Sequence, residues 1–351
     1  MKKKLPIHHG MARGIEKRLK NTGLFIKRIW SHKQGKIGLT MVGFLVVVAI
    51  FAPYIAPFNP YDVAERTTKG LPPSSKHLLG TTINTGQDIF SMLVYGTRVS
   101  LIVGVTSGIC IAIVGSILGV AAGYIGGLVD SLVMRIVDIM LVIPTLPLVI
   151  VLTNVLGRDY WTIILIFVAL GWTGLARTIR SLVLVLKNSN YVKAAELAGA
   201  SRWHIMIRHI LPGTSHLLIM STALSSAGIM VAEAGLSFLG LGDPTAISWG
   251  KMLAEAQRGG ALLFGAWWWI LTPGIGIFLA VFSFMRLGIV MEEIMNPRMQ
   301  RSSGVYKVFK NLNSAYVEEV FNSMDDYAKI GVTPAFEHGK GEVTHETGLK
   351  A

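Results

Sequence analysis

The chain has 351 residues, of which 52% are hydrophobic and only 15% charged, and its net charge is +13. Soluble domains average about 25% charged residues, so this composition excludes an ordinary soluble fold, and its apolar content excludes disorder. The excess positive charge fits either a nucleic-acid binder or a membrane protein, and its placement along the chain decides between them.

Residues 1–36 carry eleven Lys/Arg and one acid, Glu16. Within them Ile15, Leu19, Thr22, Ile26, Ile29 and Trp30 recur at helical spacing among the cations, which predicts an amphipathic helix on the membrane surface. An uncharged run, Ile37 to Pro57, follows directly. A basic flank ahead of an apolar run is the pattern of a cytoplasmic arm before a first span, so no nucleic acid is needed to explain the charge. The long basic region and the lack of a small-x-small site speak against a cleaved signal peptide. Residues 37–57 are therefore predicted as the first transmembrane helix and 58–98 as an extracytoplasmic loop.

Five further runs are long enough to cross a bilayer, which takes about 20 mostly apolar residues. They are Val99–Val129, Ile139–Gly157, Tyr160–Ala176, Gly213–Ala232 and Gly259–Met285. The second span carries Gly104, Gly108, Gly115, Gly119 and Gly123, a spacing that lets helix backbones approach closely. The third contains Pro144 and Pro147 and the sixth Pro273, each of which removes a backbone donor and favours a kink. Cys110, the single cysteine, lies inside an apolar run and reads as filler. Trp267, Trp268 and Trp269 are expected in an aromatic belt at the outer interface.

Asp130, Arg135 and Asp138 cluster at the start of the third span. Arg135 and Asp138 are three apart, on one helix face. They read as a gate or as a salt bridge at the helix entrance, the second being the simpler account of charge near lipid. Glu233 ends the fifth run and reads as lining a path or capping an outer loop, ahead of the glycine-rich stretch 234–242.

The connection Arg177–Arg208 holds six basic residues and one acid, Glu196. Basic flanks here and after the sixth span place both termini in the cytoplasm. Within this connection, residues 190–213 are too apolar and too rich in helix formers for a plain solvated loop. Ala194, Ala195 and Leu197 begin a short helix, and Gly199 permits a sharp turn. Trp203, Met206, Ile207 and Ile210 recur at helical spacing before Leu211-Pro212. Two short helices joined at a glycine read as a docking element or as a segment packed back on its own bundle, and the residues alone leave both open.

Lys193-Ala194-Ala195, then Gly199, then Leu211-Pro212 resemble the Glu-Ala-Ala loop of ABC importer permeases. Leu79-Gly80-Thr81, Gly86-Gln87-Asp88, Gly123-Tyr124-Ile125-Gly126-Gly127, Glu233 to Gly242, Trp249-Gly250 and Asn296-Pro297-Arg298 occur in the same order as in the C-type subunit of dipeptide/oligopeptide permeases. The resemblance runs from about residue 37 to about residue 299. Lys193 stands where the family usually has Glu, His209 where Ile is common, Thr82 where Asp is usual and Gln87 where Arg is usual. The resemblance implies an all-α polytopic membrane bundle of six helices, with a core five-helix permease domain over 99–295; residues 296–351 read as a polar cytoplasmic tail. It also implies that Tyr191, Lys193, Ala194, Ala195, Glu196, Gly199, Ala200, His209, Leu211 and Pro212 couple the chain to an ATPase subunit. The implied partners are a homologous second permease, two ATP-binding subunits, an extracytoplasmic solute-binding protein and the lipid bilayer. No phosphate-binding Gly-x-x-x-x-Gly-Lys-Ser/Thr, catalytic constellation or metal-ligand spacing is present, so ATP and Mg belong on partner subunits. The nearest branch implies peptides as solute, with oligosaccharides or nickel chelates as alternatives within the family. An ion-driven secondary transporter would need broken helices with charged ligands near the midplane or an inverted repeat, and neither is evident. The tail 302–351 has seven acids and five bases, and no function is read from it.

Overall fold

The computed structural model describes residues 27–62 and 68–295. The predicted helix within residues 1–36 therefore lies largely outside the described residues, and so does the tail 296–351. Among the described residues the secondary structure is helical, apart from one isolated bridge between Thr81 and Asp88. The helices are α1 (Lys33–Ile50), α2 (Ala52–Ile55), α3 (Ile89–Ile125), α4 (Gly127–Val142), α5 (Thr145–Leu156), α6 (Tyr160–Lys187), α7 (Asn190–Leu197), α8 (Arg202–Ile205), α9 (Leu211–Phe238), α10 (Trp249–Arg258) and α11 (Trp267–Met295). Five are long and apolar enough to cross a membrane, and the bent pair α4–α5 makes a sixth crossing if it counts as one span.

The glycines of α3 set the architecture. Gly104 and Gly108 face Met230, Ser226 and Thr222 of α9, whereas Gly115, Gly119 and Gly123 face Trp172, Ala176, Val183 and neighbouring residues of α6. A Cβ on Gly119 would lie 2.6 Å from the Ala176 carbonyl oxygen. One helix thus grips two others, each along its own half, and only missing side chains permit that approach.

The third span departs from expectation. In place of one kinked helix over 139–157, α4 and α5 meet at a bend of 93°. Pro144 cannot donate a backbone hydrogen bond and disfavours helix in the residue before it, so the chain extends at Ile143 and Pro144 and restarts at Thr145. The start of α4 is set by Gly126 and Gly127, whose φ angles of +70° and +56° suit glycine. Pro273, by contrast, is accommodated without a break in α11.

At the end of the bundle where α3 begins, the predicted loop is shorter than 58–98, because α3 already starts at Ile89. Asp88 caps it by accepting from the Ser91 amide at 2.8 Å, and the His77 ring, stacked beneath Phe58, lies 3.0 Å from the same carboxylate. Thr82 and Gln87, the two departures noted in this loop, bond to each other: the Gln87 amide donates to the Thr82 hydroxyl at 2.9 Å. The Trp249 indole lies between Gly96 of α3 and Gly276 of α11 and donates to the Leu93 carbonyl at 3.1 Å. The expected tryptophan belt is divided: Trp267 is exposed, but Trp269 is part of the core.

Candidate functional site

Residues 188–210 connect α6 to α9 at the end of the bundle where α3 and α6 finish. Ser201 begins α8, its hydroxyl accepting from the His204 amide at 3.3 Å. Between α7 and α8 the chain reverses at Gly199, whose φ is +77° with open space around the position of a Cβ. After α8 a single π-helical turn, Met206–Ile210, leads into α9, where Leu211-Pro212 occupy the first turn. The helix is continuous through this turn, the Leu211 amide donating to the Met206 carbonyl, and Pro212 withholds one donor just after the π turn.

The loop has two faces, one packed back on its own bundle and one exposed. Val192, Ile205, Met206 and Ile210 are buried against Val120 and Tyr124 in the last turns of α3 and Leu175, Ile179 and Val183 of α6. Leu197, Trp203 and Ile207 are 90%, 71% and 60% exposed on the other face. Lys193, Ala194, Glu196, Gly199, Leu211 and Pro212 are exposed, while Ala195, Ala200 and His209 are half-buried. The half-exposed Tyr191 ring lies 6.4 Å from that of His209, which is 5.8 Å from that of His204.

The footing of the loop is polar as well as apolar. The Tyr124 hydroxyl donates to the Glu196 carboxylate at 3.2 Å. Lys187 donates to the Tyr124 carbonyl at 2.8 Å, satisfying an acceptor in the last turn of α3. Sequence reading missed this role of Tyr124; the available signal was a tyrosine closing a glycine-rich span opposite a loop with a single carboxylate.

The charge cluster is rearranged relative to expectation. Arg135 does not pair with Asp138; it is exposed and has no ion pair among the described residues. Both carboxylates are taken by α6 instead, Asp138 by Arg177 and Asp130 by Arg180 through a two-pronged contact whose second hydrogen bond is 2.6 Å. Helix spacing placed Arg135 near Asp138, but packing of α4 on α6 supplies guanidinium groups whose forked donors match a carboxylate.

Glu233 also lies elsewhere than expected. Helix α9 continues past it to Phe238, so it neither ends the span nor caps an external loop. It is 3% exposed, accepting from the Ser237 hydroxyl at 2.6 Å and from the Ser100 hydroxyl at 3.5 Å. Ser100 in turn accepts from the Trp249 amide at 3.5 Å, so this carboxylate ties α3, α9 and the start of α10 together.

Comparison with known proteins follows the same architecture. Residues 115–301 match the family described as binding-protein-dependent transport system inner membrane component, and residues 22–73 match the N-terminal transmembrane domain of oligopeptide transport permease C. The chain is 35% identical over 278 residues to the dipeptide transport system permease protein DppC of Bacillus subtilis, covering 78% of this chain and 85% of that protein. It is 32% identical over 275 residues to the oligopeptide transport system permease protein OppC of the same organism, covering 78% and 88%. A putative peptide transport system permease protein of Brucella abortus is 34% identical over 278 residues, covering 79% and 92%.

Proposed function

The chain belongs to the inner-membrane components of binding-protein-dependent transport systems, and from that premise we propose that it forms half of a peptide pathway whose motion is driven through residues 190–213. It is a permease component and not itself catalytic; ATP and Mg are handled by two separate ATP-binding subunits. A homologous permease completes the pathway, and an extracytoplasmic binding protein delivers the solute. Peptides are the proposed cargo because the relatives are named for dipeptide and oligopeptide transport. Nothing in the comparisons favours oligosaccharides, nickel chelates or an ion-driven cycle.

One observation supports the coupling role above all: the loop is anchored on α3 and α6 by one apolar face and presents Leu197, Trp203 and Ile207 on the other. Large exposed apolar side chains on a short, well-anchored helix pair suit a surface that another protein covers. In this reading the loop end of the bundle is cytoplasmic, in agreement with its positive charge. Closure of the ATP-binding subunits displaces the loop, and its footing carries that displacement to the spans.

The test is reconstitution of the whole transporter in proteoliposomes. Trp203→Ala is expected to release the ATP-binding subunits in detergent and to abolish ATP-dependent peptide uptake, with the permease pair still assembled. Normal uptake and normal retention of the ATP-binding subunits would refute the coupling assignment.

A further inference from the structure

The exposed face of the loop has a second property besides its apolar side chains. Lys193, Arg202 and Arg208 are exposed there and have no ion pair among the described residues. Of the neighbouring cations, Arg180 is paired with Asp130 and Arg177 with Asp138, and Lys187 donates to the Tyr124 carbonyl, while Arg135 of α4 is exposed and without an ion pair among the described residues. The one carboxylate of the loop, Glu196, accepts from Tyr124. The loop therefore carries three exposed cations against one carboxylate, on residues that neighbour Leu197, Trp203 and Ile207 along the two short helices and the π turn.

Covering such a patch strips water from the cations at its edge. Removing hydration from a cation is unfavourable unless a counter-charge replaces it, and a like-charged rim would repel the loop outright. Resting on the proposed coupling role, we infer that the ATP-binding subunit receives this loop in an apolar cleft with an acidic rim: the cleft takes Trp203 and its neighbours, and carboxylates face Lys193, Arg202 and Arg208. Anionic lipid headgroups are the poorer match. An apolar cleft satisfies the exposed Leu197, Trp203 and Ile207 together with the cations, whereas a headgroup layer satisfies the cations alone.

The experiment uses the complete transporter in detergent, with binding of the ATP-binding subunits to the permease pair measured at about 50 mM and about 500 mM salt, where the Debye length falls from more than 10 Å to a few ångströms. The variant Lys193→Glu/Arg202→Glu/Arg208→Glu is expected to bind about 10- to 100-fold more weakly than the parent at low salt and much closer to it at high salt. Reversing the facing carboxylates of the ATP-binding subunit to lysine restores its affinity. Unchanged or tighter binding of the triple variant at low salt, while Trp203→Ala still releases the subunits, would overturn the acidic rim and leave the coupling role standing. Normal binding by both variants would overturn the coupling role itself. A triple variant that loses adhesion to vesicles containing phosphatidylglycerol but keeps the ATP-binding subunits would assign the charge to lipid and also overturn the inference.

Discussion

Gly199 offers the most direct test of the geometry of the loop. Its φ of +77° lies in the left-handed region, and an added Cβ would meet no atom within 4 Å. Steric clash with neighbours is therefore absent, and a substitution acts through backbone strain alone. Holding an ordinary L-residue in that region costs roughly 1–2 kcal/mol, less for asparagine and more for a β-branched side chain. Alanine also stiffens the unfolded chain, which offsets about 0.4–1 kcal/mol of that cost. The expected order of damage is therefore Asn, then Ala, then Val, with Val costing about 2 kcal/mol or more. Each 1.4 kcal/mol is about a tenfold change in the population of the native turn, so Val should deplete it some tens of fold relative to glycine. The assay is peptide taken up per ATP hydrolysed in proteoliposomes, with retention of the ATP-binding subunits as the control for assembly. Uptake per ATP should fall in the same order as the strain. A valine variant with the parental ratio, or an asparagine variant as damaged as valine, would refute the claim that the left-handed turn transmits motion.

Three further outcomes follow from packing within the bundle and at its two ends. Arg180 and Asp130 are 29% and 21% exposed and Arg177 and Asp138 are 47% and 66% exposed, so a double-mutant cycle in thermal unfolding should give about 1–2 kcal/mol for the first pair and under about 1 kcal/mol for the second; equal coupling would contradict this placement. Gly119→Leu forces a side chain onto the Ala176 carbonyl and should destabilise the α3–α6 contact by several kcal/mol, about 3 or more, read as loss of the folded permease on gel filtration, whereas the same change at Gly228, which has open space, should be tolerated. At the opposite end, burial works against ionisation of Asp243, yet the Thr245 hydroxyl and the amides of Thr245, Tyr160 and Ala246 hold its carboxyl below the usual range. A lowered folded-state pKa stabilises above the unfolded value of about 4 and is lost as pH falls through the folded one, so proteolytic resistance of this loop should decline below about pH 4 in the parent and change less in Asp243→Asn. An identical acid profile for both would remove Asp243 as the cause.

Much of the bundle was legible because lipid imposes a simple rule: each crossing must be a long uncharged run, and those runs stand out in the sequence. The glycines of α3 were legible for a related reason, since a four-residue spacing has meaning within one helix. What escaped depended on contacts between distant segments. Arg180 reaches Asp130 across fifty residues and Ser100 reaches Glu233 across 133, and no local spacing announces either pair. The break at Pro144 escaped for another reason: a proline inside an apolar run kinks some membrane helices and ends others, as Pro273 and Pro144 do here, and neighbouring packing decides which. In the loop, helical periodicity marked Trp203, Met206, Ile207 and Ile210 as one series. The structure divides them into buried Met206 and Ile210 and exposed Trp203 and Ile207, the backbone widening into a π turn from Met206 to Ile210.

That division bears on how a push on the loop would travel. The loop touches three spans in two different ways. To α3 and α6 it is joined by contact, through the apolar footing and the Tyr124–Glu196 hydrogen bond. To α9 it is joined through the chain itself, by way of the π turn and Pro212. Helices α3 and α6 meet backbone to side chain along Gly115, Gly119 and Gly123, leaving little room for one to slide on the other, so they should move as one body. Helix α9 also packs on α3, at Gly104 and Gly108, but on the half farther from the loop. The compliant element is then the π turn between loop and α9, where a turn with i→i+5 hydrogen bonds can tighten to an α-helical one. Under the proposed coupling role, displacement of the loop would carry α3 and α6 together and change their angle to α9, pivoting near Gly104 and Gly108. Cysteine pairs on α3 and α6 that flank the Gly119–Ala176 contact, leaving Gly115, Gly119 and Gly123 in place, should therefore crosslink equally in all nucleotide states, and pairs between the loop ends of α6 and α9 should not.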